Sequence, residues 1–279
     1  MEESIGEGGG AAVAEMNSHE ILVPAEGLKR SEIYHVVKEV IGFVLYIHQQ
    51  IPETLQHLEE EFDRIREEEE SAPAPESEAC STRMRKHRLR EVKLGIRRRE
   101  KLMASISSLL SSLHLILDEV PIVHGLMLAL GGTLVRPQYV YDIVFSHEKI
   151  DSGSSGDGSR SKVANYISRK AIRSLISKGA GGGSYSGPMK LFLLVKATAT
   201  LKLPTHFLPK RDFKYHKKTV SFRLQIRCKT KKQAFDCLHY SDREDVSANL
   251  LDTTSSDLIW FQCRQTIKGV ASKAPSVEG

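Results

Sequence analysis

Apolar residues recur every three or four positions in three long stretches of this chain, and that spacing is the period of an α-helix. The first stretch begins near Ser31, a residue type favoured at a helix N-cap, and runs to Pro52, where the helix ends or restarts. A shorter amphipathic stretch follows Pro52. The other two long stretches cover residues 83–118 and 162–178. The pattern therefore predicts three main helices.

Alternation of apolar and polar residues, the period of a half-buried strand, dominates the second half of the chain. Residues 135–145, 191–203 and 219–228 alternate in this way, and an apolar run at 126–130 is a strand or the end of a helix. Helices mostly precede strands, without the βαβ alternation of a doubly wound fold. We therefore expect an α+β fold, with helices packed on a mostly antiparallel sheet.

The C-terminal region contains the single tryptophan of the chain, within the run Ile259-Trp260-Phe261-Gln262. Ordering a chain end costs about 1–2 kcal/mol of backbone entropy per residue, so large aromatic residues there need a favourable contact. The run therefore predicts a strand that docks onto the core.

Composition divides the chain into one domain and several polar segments. Proline, glycine, serine and glutamate are concentrated in these segments, which is typical of linkers and tails. We expect disordered tails at 1–28 and 271–279, a single domain at 29–270, a mobile linker at 67–82, and Gly/Ser loops at 151–161 and 179–188.

Charge, cysteine content and hydropathy narrow the class of protein. The 279 residues have a formal net charge of +5, and the four cysteines show no CxxC spacing, which favours free thiols in a reducing compartment. No apolar run approaches the length of a membrane span, and the acidic N-terminal segment is unlike a signal peptide. We expect a soluble intracellular protein that binds no membrane.

Motifs of catalysis and cofactor binding are missing from the sequence. The glycine-rich stretches lack the GK[ST] end of a phosphate loop, the histidines show no HExxH spacing, and there is no GxSxG elbow. We therefore expect a protein that is not an enzyme, with no catalytic residues, metal or cofactor.

Two basic segments, residues 83–101 and 205–218, leave alternatives open. The first is either the solvated face of an amphipathic helix or a nucleic-acid or nuclear-import segment. The second includes Phe213 and Tyr215, which we expect to be exposed and to suit a protein partner at least as well as a nucleic acid. A basic nuclear nucleic-acid-binding module is thus the alternative to the function that follows.

Four segments, in this order along the chain, resemble a single protein family, the comet proteins. These are the binding proteins of the spindle-checkpoint HORMA protein Mad-two (mitotic arrest deficient). The first segment, residues 46–52, reads Tyr-x-x-Gln-Gln-x-Pro, and the second, residues 130–143, reads Leu-Gly-Gly-Thr followed by Pro137 and a strand, which resembles a helix-to-hairpin junction. The third, residues 207–210, reads Phe-x-Pro-Lys and resembles a basic loop. The fourth, residues 259–269, reads Ile-Trp-Phe-Gln followed by Thr266 and Lys-Gly.

The resemblance implies a HORMA-like domain of three helices on a sheet, with a C-terminal safety-belt segment. It further implies an adaptor that binds the closed conformer of a HORMA protein, of the Mad-two type or of the meiotic axis, and presents it to the pachytene-checkpoint AAA+ ATPase. Remodelling of that client would silence the checkpoint. No nucleic-acid partner is implied. The expected location is the nucleus and cytoplasm, with the kinetochore or spindle in mitosis.

Site residues follow from the same resemblance. The HORMA partner is expected at Ile47, Ala171, Ile172 and Leu175, where Ile47 replaces a family glutamine and Ile172 a family phenylalanine. Both replacements imply an interface tuned to a different HORMA client. Pro209 and Lys210 match the pair that contacts the ATPase. Ile259, Trp260, Phe261 and Gln262 are expected to form the safety-belt strand.

Overall fold

The computed structural model describes residues 17–23, 27–71, 83–120, 122–146, 162–183, 187–216, 218–228 and 258–270. The loop expected at 151–161 and the tail expected at 271–279 lie outside these residues. The described helices are α1 (Arg30–Ile47), α2 (Leu55–Ser71), α3 (Arg83–Glu119) and α4 (Lys162–Ser177), and the strands are β1 (Asn17–Val23), β2 (Gly125–Gly131), β3 (Tyr139–Ser146), β4 (Lys190–Thr198), β5 (Phe207–Lys210), β6 (Val220–Cys228) and β7 (Leu258–Lys268).

The strands form one mixed sheet in the order β1-β6-β3-β2-β4-β7-β5. Strand β6 runs parallel to both of its neighbours, β1 and β3. The remaining pairs are antiparallel, and β7 is inserted between β4 and β5. The α+β class predicted from the sequence is confirmed; most strand pairs are antiparallel, as expected, and the two parallel pairings of β6 make the sheet mixed.

The helices pack on one face of this sheet and bury the main core. Helix α3 packs on β7, α4 packs beside β1, and α1 contacts both helices. Helix α1 is apolar around most of its circumference, which explains its central position. Its fully buried side chains are Ile33, Val36, Val37, Val40, Ile41, Val44 and Leu45.

The opposite face of the sheet has a second, smaller apolar cluster. Because successive side chains of a strand point to opposite faces, Trp260 points away from the helices whereas Phe261 points into the main core. Phe213 and Tyr215 are half-buried against this cluster, so the expectation that both are exposed is wrong. The buried members of the cluster are Met127, Ala129, Val140, Phe192 and Leu194.

The N-terminal tail expected at residues 1–28 is wrong for its described part. Residues 17–23 form β1, and the side chains of Ile21, Val23 and Leu28 are fully buried. Ile21 and Val23 lie on the same face of the strand, so each contributes to the core beside α4. The fold therefore begins at least ten residues before the expected boundary.

The helix boundaries also differ from the sequence prediction. Helix α1 begins at Arg30, and the backbone N–H of Lys29 donates to the Glu32 carboxylate at 2.9 Å, so Ser31 lies inside the helix and is not its N-cap. A fourth helix, α2, follows because Leu55 and Leu58 are buried against the core. This helix includes residues 67–71, which were expected to belong to the mobile linker at 67–82; residues 72–82 lie outside the described part.

The segment expected to be a helix-to-hairpin junction is instead a β-hairpin. Strand β2 leads through Gly131 and Gly132 into β3, with which it pairs antiparallel. A Cβ atom at Gly131 would lie 2.8 Å from the Cα of Pro137 and 2.9 Å from the nitrogen of Gln138. Glycine is therefore required for the returning chain to pass so close.

Candidate functional site

An open groove of about 310 Å3 lies between α1, the start of α2 and α4. Phe43 and Tyr46 of α1 and Ile172 of α4 line it, and Tyr46 is 48% exposed. Helices α1 and α2 approach closely because Gly42 has no side chain: a Cβ atom there would lie 3.1 Å from the Cβ of Leu55. The groove is a concave surface lined by both apolar and polar residues, of the kind that can take a side chain of a protein partner.

Charged residues form one side of this groove. The ammonium group of Lys38 lies 2.9 Å from the Glu59 carboxylate and joins α1 to α2. Glu39 also lines the groove and is exposed. Both side chains are half-buried, and an ion pair so accessible to solvent adds little stability.

Two of the four residues expected to bind the HORMA partner are accessible. Ile172 lines the groove, and half-buried Ile47 lies at the end of α1 against Gly181, whose φ of 83° favours glycine. Ala171 and Leu175 are 0% and 2% exposed, so their assignment to a partner surface is wrong. They are one helical turn apart, and both face the main core.

The exposed face of α4 includes apolar residues that the sequence analysis did not single out. Tyr166 and Ile176 are 46% and 53% exposed. Ile176 lies one turn beyond Ile172 and therefore on the same side of the helix. These exposed apolar residues lie between the buried positions of α4. The spacing of apolar residues in the sequence would therefore have identified them.

Pro209 and Lys210 lie on β5, which is a short edge strand and not the loop expected from the sequence. Phe207 is buried and anchors the strand, whereas Pro209 is exposed. Strand β5 pairs only with β7 among the described strands, with Pro209 opposite Phe261. Proline is tolerated at an edge because its missing N–H removes no ladder hydrogen bond when that position faces outward.

The expected safety-belt residues form part of β7. Phe261 is 4% exposed, whereas Ile259, Trp260 and Gln262 are half-buried. The strand is hydrogen-bonded to β4 on one side and to β5 on the other. The predicted docking of the C-terminal segment onto the core is therefore confirmed as β-sheet pairing.

A buried polar network joins the end of α1 to the end of β7. The fully buried side-chain amide of Gln50 donates to the carbonyl oxygen of His48 at 2.7 Å and accepts from the backbone N–H of Met189 at 2.6 Å. The Gln50 carbonyl accepts from the N–H of Val270 at 2.9 Å, and the N–H of Gly269 donates to the Met189 carbonyl at 2.8 Å. Three distant segments of the chain thus share one glutamine.

His48 belongs to the same region and is neutral at physiological pH. Its Nε2 atom lies 2.6 Å from the hydroxyl oxygen of Tyr141, and its ring lies 4.0 Å from that of Tyr139. Burial lowers the pKa of His48 to about 4, and burial raises the pKa of the Tyr141 hydroxyl. This histidine is a satisfied core residue that links α1 to β3.

Other buried ionisable groups are held in their uncharged or paired forms. Burial raises the pKa of the Asp142 carboxyl, and the guanidinium of Arg223, 2.8 Å away, opposes that shift. Cys228 and Cys263 are free thiols, and burial raises the pKa of both. Cys263 is buried and Cys228 half-buried, and a protonated thiol is a poor nucleophile and a poor metal ligand.

The described residues contain no group of three or more His, Cys, Asp or Glu side chains arranged to hold a metal ion. Within the same residues, no helix combines the length and the apolar character that crossing a bilayer requires. No protein-family model matches this chain, and a search of curated proteins returns no match.

Proposed function

We propose that this protein is a HORMA-like adaptor of the comet type, which binds a closed HORMA protein and couples it to an AAA+ remodelling ATPase. The observation behind the proposal is that the chain has two separate candidate contact surfaces. Helix α4 packs beside β1 at one edge of the sheet, whereas Pro209 and Lys210 lie on β5 at the other edge.

The separation of these surfaces suits an adaptor. Seven strands at a spacing of about 4.8 Å put the two edges about 29 Å apart. A client bound at the groove beside α4 would therefore leave β5 open to a second partner. An enzyme would instead need its functional groups to converge on one site.

Contacts among the resembling segments support the HORMA-like assignment. Residues 46–52 and 259–269 were matched separately, and their chains meet where the carbonyl of Gln50 accepts from Val270 and the side chain of Gln50 lies against Gly269. The insertion of β7 between β4 and β5 suits a safety belt that is occupied by the protein's own C-terminal segment. Such a protein would recognise clients without entrapping a peptide.

Client binding can be tested by capture on the immobilised protein. A Mad-two-type HORMA protein locked in its closed form should be retained, and the same protein locked open should pass through. Equal retention of both conformers would contradict the proposal. Ile172→Asp, which puts a charge into the groove, should reduce capture of the closed form at least tenfold, because a buried unpaired charge opposes docking.

The division of labour between the two surfaces can be tested with Lys210→Glu. The substitution should weaken stimulation of the ATPase by about tenfold while the affinity for the closed client stays within about twofold, since the two sites lie at opposite edges. Lys202→Glu, at an exposed lysine in the segment before β5, serves as the charge control. Loss of both activities in Lys210→Glu would count against separate surfaces.

The alternative function, nucleic-acid binding, is favoured by the first part of α3. Arg90, Arg97, Arg98 and Lys101 are exposed there, and Leu102 is the first buried residue among the α3 side chains that the structure describes. Affinity for duplex DNA or for RNA that falls steeply with salt, and that is lost in Arg97→Glu/Arg98→Glu, would support this alternative. An absence of binding at low salt would eliminate it.

A further inference from the structure

The exposed face of α4 is basic, with no acidic residue between Lys162 and Gly183. Its cations are distributed along the whole helix, and they are interleaved with the exposed Tyr166 and Ile176. The basic residues of this segment are Lys162, Arg169, Lys170, Arg173 and Lys178.

These cations are not neutralised within the described part of the chain. Some cations elsewhere have partners: Arg99 lies 2.7 Å from Glu61, and Arg227 lies 3.1 Å from Glu20. No cation of α4 forms such an ion pair with a described carboxylate. Glu39 of α1, which lines the groove together with Ile172, is not in ion-pair contact with them either.

The single polar interaction described for an α4 cation also leaves its charge in place. The ammonium group of Lys170 lies 5.6 Å from the ring centroid of Tyr166 and 3.4 Å from its hydroxyl oxygen. A cation–π contact orders the lysine against the ring without cancelling its charge. The face is thus partly preorganised and remains positive.

From these observations we infer that the client surface that docks on α4 is acidic, with carboxylates placed opposite Arg169 and Arg173. The inference rests on the proposed function, which buries this face against a HORMA protein. Burying arginines against a neutral or basic surface would leave their charges desolvated and unpaired, at a cost that apolar contact does not offset. The client must therefore supply the opposite charges.

The alternation of charge and apolar surface favours a protein over a polyanion. Ile172 and Ile176 lie one turn apart on α4, Tyr166 lies further round the helix, and Arg169 and Arg173 lie between them. A protein interface can bury such apolar residues and place carboxylates opposite the arginines between them, whereas a phosphate backbone offers the apolar residues no contact. A client helix with both apolar and acidic residues fits this surface.

The test is a binding titration of the full chain with a closed, conformation-locked HORMA protein at two salt concentrations. Arg169→Glu/Arg173→Glu should weaken binding at least tenfold at low salt, because like charges would then face each other across the interface. Arg169→Lys/Arg173→Lys, which keeps the charge, should stay within about threefold of the wild type. Affinity of the wild type should fall as salt is raised.

The matched control is Arg97→Glu/Arg98→Glu, which changes the net charge equally on the exposed surface of α3. An equal loss of binding in this control would overturn the inference, since the effect would then come from overall charge. Thermal unfolding of each variant shows whether the fold is kept; equally tight client binding by a folded Arg169→Glu/Arg173→Glu variant would also overturn it.

Two further outcomes separate the inference from its premise. If the wild type binds no HORMA protein in either conformation, the proposed function is wrong, and so is the inference that rests on it. If the wild type binds the closed client and the α4 reversal leaves that affinity unchanged, only the inference fails. Salt-sensitive binding of duplex DNA that depends on Arg169 and Arg173 would overturn it in favour of a phosphate-binding surface.

Discussion

At the scale of single residues, neighbouring positions on β7 have opposite environments. Trp260 is half-buried on the second face of the sheet, whereas Phe261 is 4% exposed in the main core. We expected the tryptophan to anchor the C-terminal strand, but Phe261 is the more deeply buried of the two. Size alone did not indicate which aromatic residue would be buried, because the face of a strand is set by its register.

The pair gives a direct prediction for stability. Phe261→Ala should lower the free energy of unfolding by about 3–5 kcal/mol, the usual cost of a cavity in a core. Trp260→Ala should cost roughly 1–2 kcal/mol, because only part of its apolar surface is removed from water. Urea denaturation of both variants measures the difference, and a Trp260→Ala loss equal to that of Phe261→Ala would contradict the half-buried position.

At the scale of elements, Gln50 is the point at which α1, the segment before β4 and the end of β7 meet. Its amide is fully buried and has partners on both its donor and acceptor sides. A buried polar group that loses its partner costs more than the hydrogen bond itself contributes. The attachment of the C-terminal strand therefore depends on a residue outside any helix or strand.

Substitution of this glutamine should show that dependence. Gln50→Ala leaves the N–H of Met189 and the carbonyl of His48 without the partner they have now, and it should lower the free energy of unfolding by about 2–4 kcal/mol. Gln49→Gly is the matched control: Gln49 is exposed with a φ of 53°, a region glycine adopts freely, so this change should be neutral or stabilising. Equal losses in urea denaturation would rule out a special role for Gln50.

Local periodicity predicted the long elements and missed the short ones. Helices α1, α3 and α4 and strands β4, β6 and β7 lie close to their expected positions, because each repeats its apolar spacing over several turns or pleats. Strand β1 has only a few apolar residues in a polar segment, and β5 is four residues long and contains Pro209. These two strands form through partners far away in the sequence, which a local pattern does not reveal.

The candidate site was also predicted only in part from the sequence. The helix that contains Ile172 was predicted, and so was the basic character of the segment around Lys210. The assignment of Ala171 and Leu175 to a partner surface failed because a resemblance in sequence indicates that a helix is present but not which of its sides faces solvent. The exposed Tyr46 lies on α1 and contributes to the groove only through tertiary packing.

At the scale of the whole molecule, one histidine couples the helix layer to the sheet. His48 is buried between the end of α1 and strand β3, where it contacts the rings of Tyr139 and Tyr141. Its pKa in the folded state, about 4, is below the ordinary value of 6.5. The unfolded chain therefore binds a proton at this position more readily than the folded protein does.

Stability should consequently fall on acidification. The contribution of neutral His48 is fully present above about pH 6.5 and is lost as the pH falls towards 4, by about 2 kcal/mol at pH 5. His48→Gln removes the titrating group, so the difference in unfolding free energy between pH 7 and pH 5 should be about 2 kcal/mol smaller in this variant. Identical pH profiles for wild type and variant would show that His48 is not a source of acid sensitivity.

The parallel pairing of β1 with β6 has a consequence for synthesis on the ribosome. Asn17 pairs with Phe222, which is synthesised about 200 residues later. The apolar face of β1, with Ile21 and Val23, therefore cannot reach its final place until β6 has been synthesised. Contacts between such distant residues slow folding and prolong exposure to aggregation, so we expect this sheet to close late and the nascent protein to depend on chaperones.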